Sequence, residues 1–294
     1  MMMNKPLLCE IFDCGAESVS SLRKSRYVTQ PKAKVAIIGL CKGNNSESNL
    51  KRMIKRNALA RKHVSATAPI IVYNERTFQN KFIDAVVAAD ANVHFVDISA
   101  LWDMQYKLDG YKKMCRFYAV QLWQLVAEYE IVMRLDDDSM IETPMPKRLE
   151  WFVDQPIDYG YVFRHHDGHQ PDKAPFAAFL RDGPWDAGAL ARVGDTHNEY
   201  YNNFFIARTA FFLQEDVSNF LAKLDRIFYA PGALHVESRL GDANVHAVLV
   251  RLFHARIVEL RGFDYNHMSH RKRVPAEDPP HQWEELFNVA PVWR

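Results

Sequence analysis

Glu130-Ile131-Val132-Met133-Arg134-Leu135-Asp136-Asp137-Asp138 is the stretch on which the reading of this chain turns. Glu130 to Leu135 is strand-like, and it runs straight into three carboxylates. Three acids at the end of an apolar strand repel one another and are costly unless a cation neutralises them. Hard oxygen ligands at a strand's C-terminal edge suit Mg²⁺ or Mn²⁺ bridging to a diphosphate. Alternate residues of an extended segment share a face, so Asp136 and Asp138 point together and Asp137 turns away. A solvated acidic turn is the competing reading, and the strand in front of the acids favours the metal.

Upstream, Lys34 to Leu40 is a continuous apolar run of the kind that forms a buried parallel strand. A loop, Cys41 to Ser46, precedes a helical stretch at Asn49–His63, with Leu50, Met53, Ile54 and Asn57 on one face. Pro69–Tyr73 and Val93–Asp97 read as strands, with a helix over Lys81–Ala89 between them. This alternation is the grammar of an α/β domain with a parallel sheet. A longer helix is predicted over Lys113–Glu128, burying Met114, Phe117, Tyr118, Gln121, Leu122 and Leu125. Downstream, Asp154–Trp185 holds seven Pro or Gly and a His cluster, which predicts long loops shaped around a ligand. Asn203–Phe212 is strand-like, and Val217–Tyr229 and Asp242–Phe253 have helical periodicity. Residues 1–30 read as an arm laid over one domain spanning 31–294, whose tail, 271–294, is basic and then Pro-rich.

Composition narrows the function. The chain has 294 residues, with 37 Lys plus Arg against 36 Asp plus Glu, and so lacks the basic excess of a nucleic-acid-binding protein. No apolar run approaches the roughly 18 residues that cross a bilayer. The first residues carry no sustained apolar core of a signal peptide. Four cysteines are too few for a disulfide scaffold, so a soluble protein of a reducing, cytoplasmic compartment is expected. A phosphate-binding loop is missing, and Gly39-Leu40-Cys41-Lys42-Gly43 is not a dinucleotide fingerprint, which argues against an ATPase or a dehydrogenase. A Gly-x-Ser-x-Gly elbow is missing as well.

Five ordered blocks carry a resemblance. Gly110-Tyr111-Lys112-Lys113-Met114-Cys115-Arg116-Phe117 resembles the Ser-Tyr-Arg-His-Met-Cys-Arg-Phe segment of the fungal α-1,2-mannosyltransferases, glycosyltransferase family 15. Tyr129 to Asp138 is similar to that family's Tyr-Asp-Trp-Tyr-Trp-Arg-Val-Glu-Pro-Asp, and Tyr201 to Ala207 resembles its Phe-Trp-Ser-Asn-Phe-Glu-Ile. Gly241 to Ala247 resembles Gly-Asp-Ala-Pro-Val-His-Ser, and Phe263 to His267 resembles Ile-Gly-Tyr-Tyr-His. The match covers roughly residues 33–270 and is weak before residue 105.

The resemblance implies a GT-A glycosyltransferase fold, a Rossmann-like mixed sheet flanked by helices. Residues 31–140 would form the nucleotide-sugar half and 141–270 the acceptor half. It implies a nucleoside-diphosphate sugar donor, GDP-mannose in the family, a glycan acceptor, and a Mn²⁺ (or Mg²⁺) site. Asp136 and Asp138 would serve the metal and diphosphate, with His267 as the imidazole ligand; the competing reading of His267 is a solvated tail histidine. Tyr111 and Arg116 would lie near the substrate, Arg116 as a phosphate counterion or else paired with Asp137 or Glu130. Gly39 and Lys42 are taken as further donor-binding candidates. Asp242 would face the acceptor sugar, and its position also fits an N-cap.

The sequence departs from the family pattern. Asp-Asp-Asp replaces Glu-Pro-Asp, and the membrane anchor expected of the Golgi enzymes is missing, which suggests a cytoplasmic or soluble relative. The proposed nucleophilic Glu aligns with Phe205. Glu199, Glu237 and Asp242 are substitutes, and front-face attack, in which the leaving diphosphate oxygen takes the acceptor's proton, needs none. His165-His166-Asp167-Gly168-His169 reads as a polar acceptor-facing loop or a second metal site. Lys51, Arg52, Lys55, Arg56, Arg61 and Lys62 read as a solvated basic face or as one that steers an anionic donor.

Overall fold

Val35–Leu40 forms strand β1 with five of its six residues buried, as an apolar run flanked by strands on both sides requires. The computed structural model describes residues 33–102, 109–166, 174–201, 203–230, 232–238, 240–268 and 272–274. The expected arm and all but three residues of the expected tail lie outside them. From β1 the chain continues through α1 (Glu47–His63), β2 (Ile70–Asn74), α2 (Asn80–Ala89) and β3 (Val93–Asp97). The Ser46 hydroxyl accepts from the Asn49 amide at 3.2 Å and caps α1, so the helix opens two residues before the predicted start.

After α3 (Ser99–Trp102) comes α4 (Gly110–Arg116), capped by Asp109, then a π turn over Phe117–Gln121 and α5 (Leu122–Leu125). One unbroken helix over Lys113–Glu128 was the expectation. The observed run begins and ends three residues earlier, and its middle is widened by a turn type that is frequent at functional sites.

Next come β4 (Ile131–Leu135), β5 (Ser139–Ile141), β6 (Tyr159–Tyr161), β7 (Arg164–His166), α6 (Ala174–Arg181) and α7 (Ala187–Val193). They are followed by β8 (Asn198–Tyr200), β9 (Phe204–Arg208), α8 (Thr209–Phe212) and α9 (Glu215–Leu224), which runs into a second π turn, Asp225–Tyr229. α10 (Asp242–Leu252), β10 (Ile257–Glu259), β11 (Tyr265–His267) and β12 (Lys272–Val274) complete the order. The stretch 154–185, expected as long loops, thus supplies two short strands and a helix. The strand predicted over Asn203–Phe212 stops at Arg208 and turns helical.

The main sheet has the order β10-β6-β9-β4-β1-β2-β3. β4, β1, β2 and β3 are parallel, whereas β9 is antiparallel to both β4 and β6, which makes the sheet mixed as expected. The chain leaves β1 toward β2 and β3, then returns to pair β4 on the other side of β1. Strand order reverses there, and in open α/β sheets the crevice beyond the carboxyl ends at such a point is where ligands bind. The three acids follow β4 directly. A small antiparallel sheet, β12-β11-β5, brings His267 opposite Ser139.

Alternation along β1 divides the core: Ala36 and Ile38 enter one buried cluster, Val35 and Ile37 the other. In the first, His246 of α10 lies with its ring centroid 5.3 Å from Phe205 and Phe212 and 5.5 Å from Trp123. Its Nε2 is 3.1 Å from the Tyr118 carbonyl and its Nδ1 is 3.3 Å from the Tyr159 hydroxyl. A neutral ring with Nε2–H donating and Nδ1 accepting satisfies both. Among the described residues no helix is long and apolar enough to cross a membrane.

Burial pushes the His246 pKa down from 6.5 to about 3. The unfolded chain therefore binds a proton that the folded one rejects, so stability is full above pH 6.5 and is lost as pH falls toward 3. Thermal melts across that interval should show this fall, and His246→Gln should flatten it.

Candidate active site

The acids at the end of β4 form a tight turn in which the Ser139 amide donates to the Asp136 carbonyl at 3.1 Å. The segment turns here instead of continuing extended, and each side chain meets its own partner. Asp136 is clamped by Arg134, with Nε donating to Oδ1 at 2.8 Å and Nη2 to Oδ2 at 3.0 Å. Asn203 Nδ2 donates to the same Oδ2 at 2.7 Å. Asp137 faces the other way, 3.6 Å from Arg52 Nη2. Asp138 Oδ1 lies 2.9 Å from His267 Nε2.

Arg134 is the hub. Its residue is only 1% exposed, although it sits in a strand whose other side chains are apolar. Its third nitrogen, Nη1, donates to Asp242 Oδ2 at 2.6 Å, and its guanidinium carbon is 3.5 Å from the centroid of the Tyr118 ring. Tyr118 comes from the π turn, and its hydroxyl accepts from the Leu40 amide at 2.8 Å and reaches Asp136 Oδ1 at 3.4 Å. Burial pulls the Arg134 pKa down, but Asp136, Tyr118 and Asp242 more than reverse it, and the guanidinium stays charged. For Asp242, burial outweighs Arg134 and raises the carboxyl pKa. Beyond Asp242, the Cys115 thiol hydrogen-bonds with Asp242 and Tyr111. One polar chain thus links Tyr111 at the surface to Asp136 in the interior.

His267 is buried, not the solvated tail histidine that the sequence alone allowed. Its Nδ1 is 2.6 Å from the Tyr201 hydroxyl, and the Met268 amide donates to the Asp138 carbonyl at 3.1 Å, tying β11 to the acidic turn. Carboxylate and imidazole side by side are a donor set that suits Mn²⁺. An oxygen on the far ring nitrogen fixes the tautomer that leaves Nε2 to a metal. These residues fit such an ion. Both Asp136 oxygens already accept from Arg134 and Asn203, whereas Asp138 and His267 face one another. Among the described residues no cluster of three or more His, Cys, Asp or Glu could hold a metal by itself.

Other expected residues lie elsewhere or act otherwise. Arg116 pairs with Asp225 and not with Asp137 or Glu130; its Nε and Nη2 donate to Asp225 at 2.8 and 2.7 Å. Gly39 is a packing requirement, since a Cβ there would stand 2.8 Å from the Leu135 carbonyl oxygen of β4. Lys42 is exposed in the loop after β1, and Glu237 is exposed in a turn whose Val236 carbonyl accepts from Lys112 of α4. Asp242 is not the N-cap; Gly241 is. Phe205 lies in the aromatic core, its ring 5.7 Å from Tyr159 and 6.0 Å from Trp123. Glu199, half-buried on β8, pairs across strands with His165. His166 Nδ1 is 3.1 Å from Asn198 Oδ1, and Asp167–His169 lie outside the described residues. The basic face of α1 is divided: Lys51 and Lys55 are exposed, Arg56 is buried, and Arg61 donates to Asp90 at 2.7 Å.

The sequence reading missed Arg134, Tyr118, Asn203 and Tyr201 as site residues. A usable signal existed for Arg134, because a charge inside a doubly covered strand must have a buried partner.

A mixed sheet with this strand order, carrying acids and a histidine at its switch point, defines the GT-A glycosyltransferase fold. The solved structures that share it include the mannosyltransferase Ktr4p of S. cerevisiae, at TM-score 0.66 and 19% identity over 87% of this chain and 79% of that one. They also include core-mannan synthase A (CmsA/Ktr4) of Aspergillus fumigatus in its Mn/GDP form, at TM-score 0.63 and 17% identity over 83% and 77%. At these identities the likeness is one of fold. No protein-family model matches the chain, and none of the curated proteins does.

Replacing Arg134 by Met strands two buried carboxylates, and the cost expected is about 3–5 kcal/mol, read as a lowered denaturant midpoint. Gly39→Ala should cost about 1–3 kcal/mol as β1 and β4 are forced apart, measured the same way.

Proposed function

We propose that this chain is a metal-dependent, retaining glycosyltransferase that moves mannose from GDP-mannose to a hydroxyl of a glycan. The Asp138–His267 pair at the switch-point crevice is the observation that carries this reading. The Mn/GDP form of core-mannan synthase A and a GDP complex of Ktr4p, which shares 19% identity with this chain, support the choice of ion and base.

In this reading Asp138 and His267 hold the ion, and Tyr201 keeps the His267 lone pair directed at it. The bound ion would supply charge stabilisation to the departing diphosphate. Arg134 holds the carboxyl groups of Asp136 and Asp242 in fixed positions, so that the wall of the site does not reorganise as charge moves. Tyr111 and Asp242 mark the acceptor side, where Asp242 orients a hydroxyl instead of removing its proton, because its carboxylate is spent on Arg134.

Stereochemical retention then has two routes. A double displacement needs a carboxylate facing the anomeric carbon, and the aligned position is Phe205, deep among aromatic rings. Front-face attack needs positioning alone: the acceptor oxygen bonds to the anomeric carbon on the face the diphosphate leaves, and a diphosphate oxygen takes the hydroxyl proton. The site favours the second route. Phe205 also supports a rival reading, a nucleotide-sugar-binding protein without turnover.

Nucleotide release from a panel of GDP- and UDP-sugars separates the readings. GDP-mannose turnover that requires Mn²⁺ and drops about 100-fold or more in Asp138→Ala is the expected result. Tight GDP binding without release from any donor, even with varied acceptors, supports the binding protein. Under turnover, rapid acid quench and intact mass should detect no hexose on the protein; an adduct on Glu199, Glu237 or Asp242 would restore the covalent route.

A further inference from the structure

Asp137 has no role in the site as described, yet it is the middle residue of the acidic run. Its place in the turn is specific. With the Ser139 amide bonded to the Asp136 carbonyl at 3.1 Å, Asp137 is the second residue of a four-residue turn, the position that favours proline for its fixed φ. A proline would hold this turn covalently. Here an ionic tether stands in its place.

The tether comes from α1. Arg52 Nη2 lies 3.6 Å from Asp137 Oδ2 and also hydrogen-bonds Asn49 Oδ1, which orients the guanidinium along the helix. One turn on, Arg56 is buried, with Nε and Nη2 donating to Asn57 Oδ1 at 3.0 and 2.8 Å. Its positive charge favours the ionised form of Asp137. Arg52 of α1 thus meets the one acid that turns away from the site. The residue after it is Asp138, whose carboxylate meets His267. A turn free to flex at Asp137 would let that carboxylate swing.

We infer that Asp137, held by Arg52, is a positioning residue that fixes the Asp138 carboxylate for a divalent cation. The inference rests on the metal-binding reading above. Three effects of Asp137 are separable. If only negative charge near the cation matters, removing it by any residue weakens binding equally. If Asp137 serves folding alone, cation affinity follows melting temperature. If it positions the turn, a residue that restrains the same backbone without charge restores affinity.

The experiment titrates Mn²⁺ into the protein with saturating GDP, following free Mn²⁺ by electron paramagnetic resonance, with thermal melts run in parallel. Asp137→Asn should weaken Mn²⁺ binding about fivefold, the size that a half-exposed pair supports. Arg52→Met should do the same, and the double variant should be no weaker than either single one. Asp137→Pro should return affinity to within about twofold of the parent. It should also remove the part of the salt dependence that comes from screening the tether. Equal affinity in the parent and Asp137→Asn overturns the inference, as does Asp137→Pro binding no better than Asp137→Asn at matched stability. A parent protein that binds no Mn²⁺ with GDP overturns the metal reading itself, and this assignment with it.

Discussion

One guanidinium, that of Arg134, holds the candidate site together. Taking a cation this far from water costs several kcal/mol, and the structure offsets that cost by using every donor face. Two nitrogens clamp Asp136, the third reaches Asp242, and the ring of Tyr118 covers the flat side. The consequence reaches beyond electrostatics. Arg134 lies on the central strand β4, Asp136 at its exit, Asp242 at the start of α10 and Tyr118 in a π turn, so a single side chain fixes four elements relative to one another. Planar, bidentate geometry makes Arg suited to this and Lys not.

This hub neutralises the first of three consecutive acids. Their repulsion is divided instead of summed: Asp136 is spent on Arg134, Asp137 on Arg52 of α1, and Asp138 on His267. The third pairing differs in kind, because an imidazole can exchange a proton for a metal whereas a guanidinium cannot. In the proposed reading Asp138 is the carboxylate that meets the ligand. The chemistry of the run follows from which basic side chain each acid faces, and the turn after β4 decides that.

Much of the fold was legible because its signals are local. The apolar run at Val35–Leu40 declared a buried parallel strand, Ile131–Leu135 read as strand-like, and the alternation with helices declared the α/β grammar. The acids at the sheet edge and the block ending at His267 were found for the same reason. What escaped is long-range. Arg134 meets Asp242 across 108 residues and Arg116 meets Asp225 across 109, and no spacing rule reports such pairs. Asp242 was open to an N-cap reading because its neighbourhood looks like a helix start; its side chain answers to a partner in another strand. The π turn at Phe117–Gln121 carries no sequence signature, yet it brings Tyr118 under Arg134. On α1 the basic residues looked solvated because the helix was taken alone, while the sheet beneath draws Arg56 inward.

The aromatic core sets a limit on the chemistry. Phe205 stands directly across from Arg134 in the β4–β9 pairing, on the face where Tyr118, Trp123, Tyr159 and His246 converge. A carboxylate at that position would bring a third anion to Arg134, which already serves two, and would be buried among rings that cannot solvate it. Phenylalanine at 205 and the twofold use of Arg134 are thus consistent with each other: all three guanidinium nitrogens already donate to the two carboxylates. In the proposed reading, transfer relies on where the donor and acceptor are held, and the hub gives that site a fixed wall.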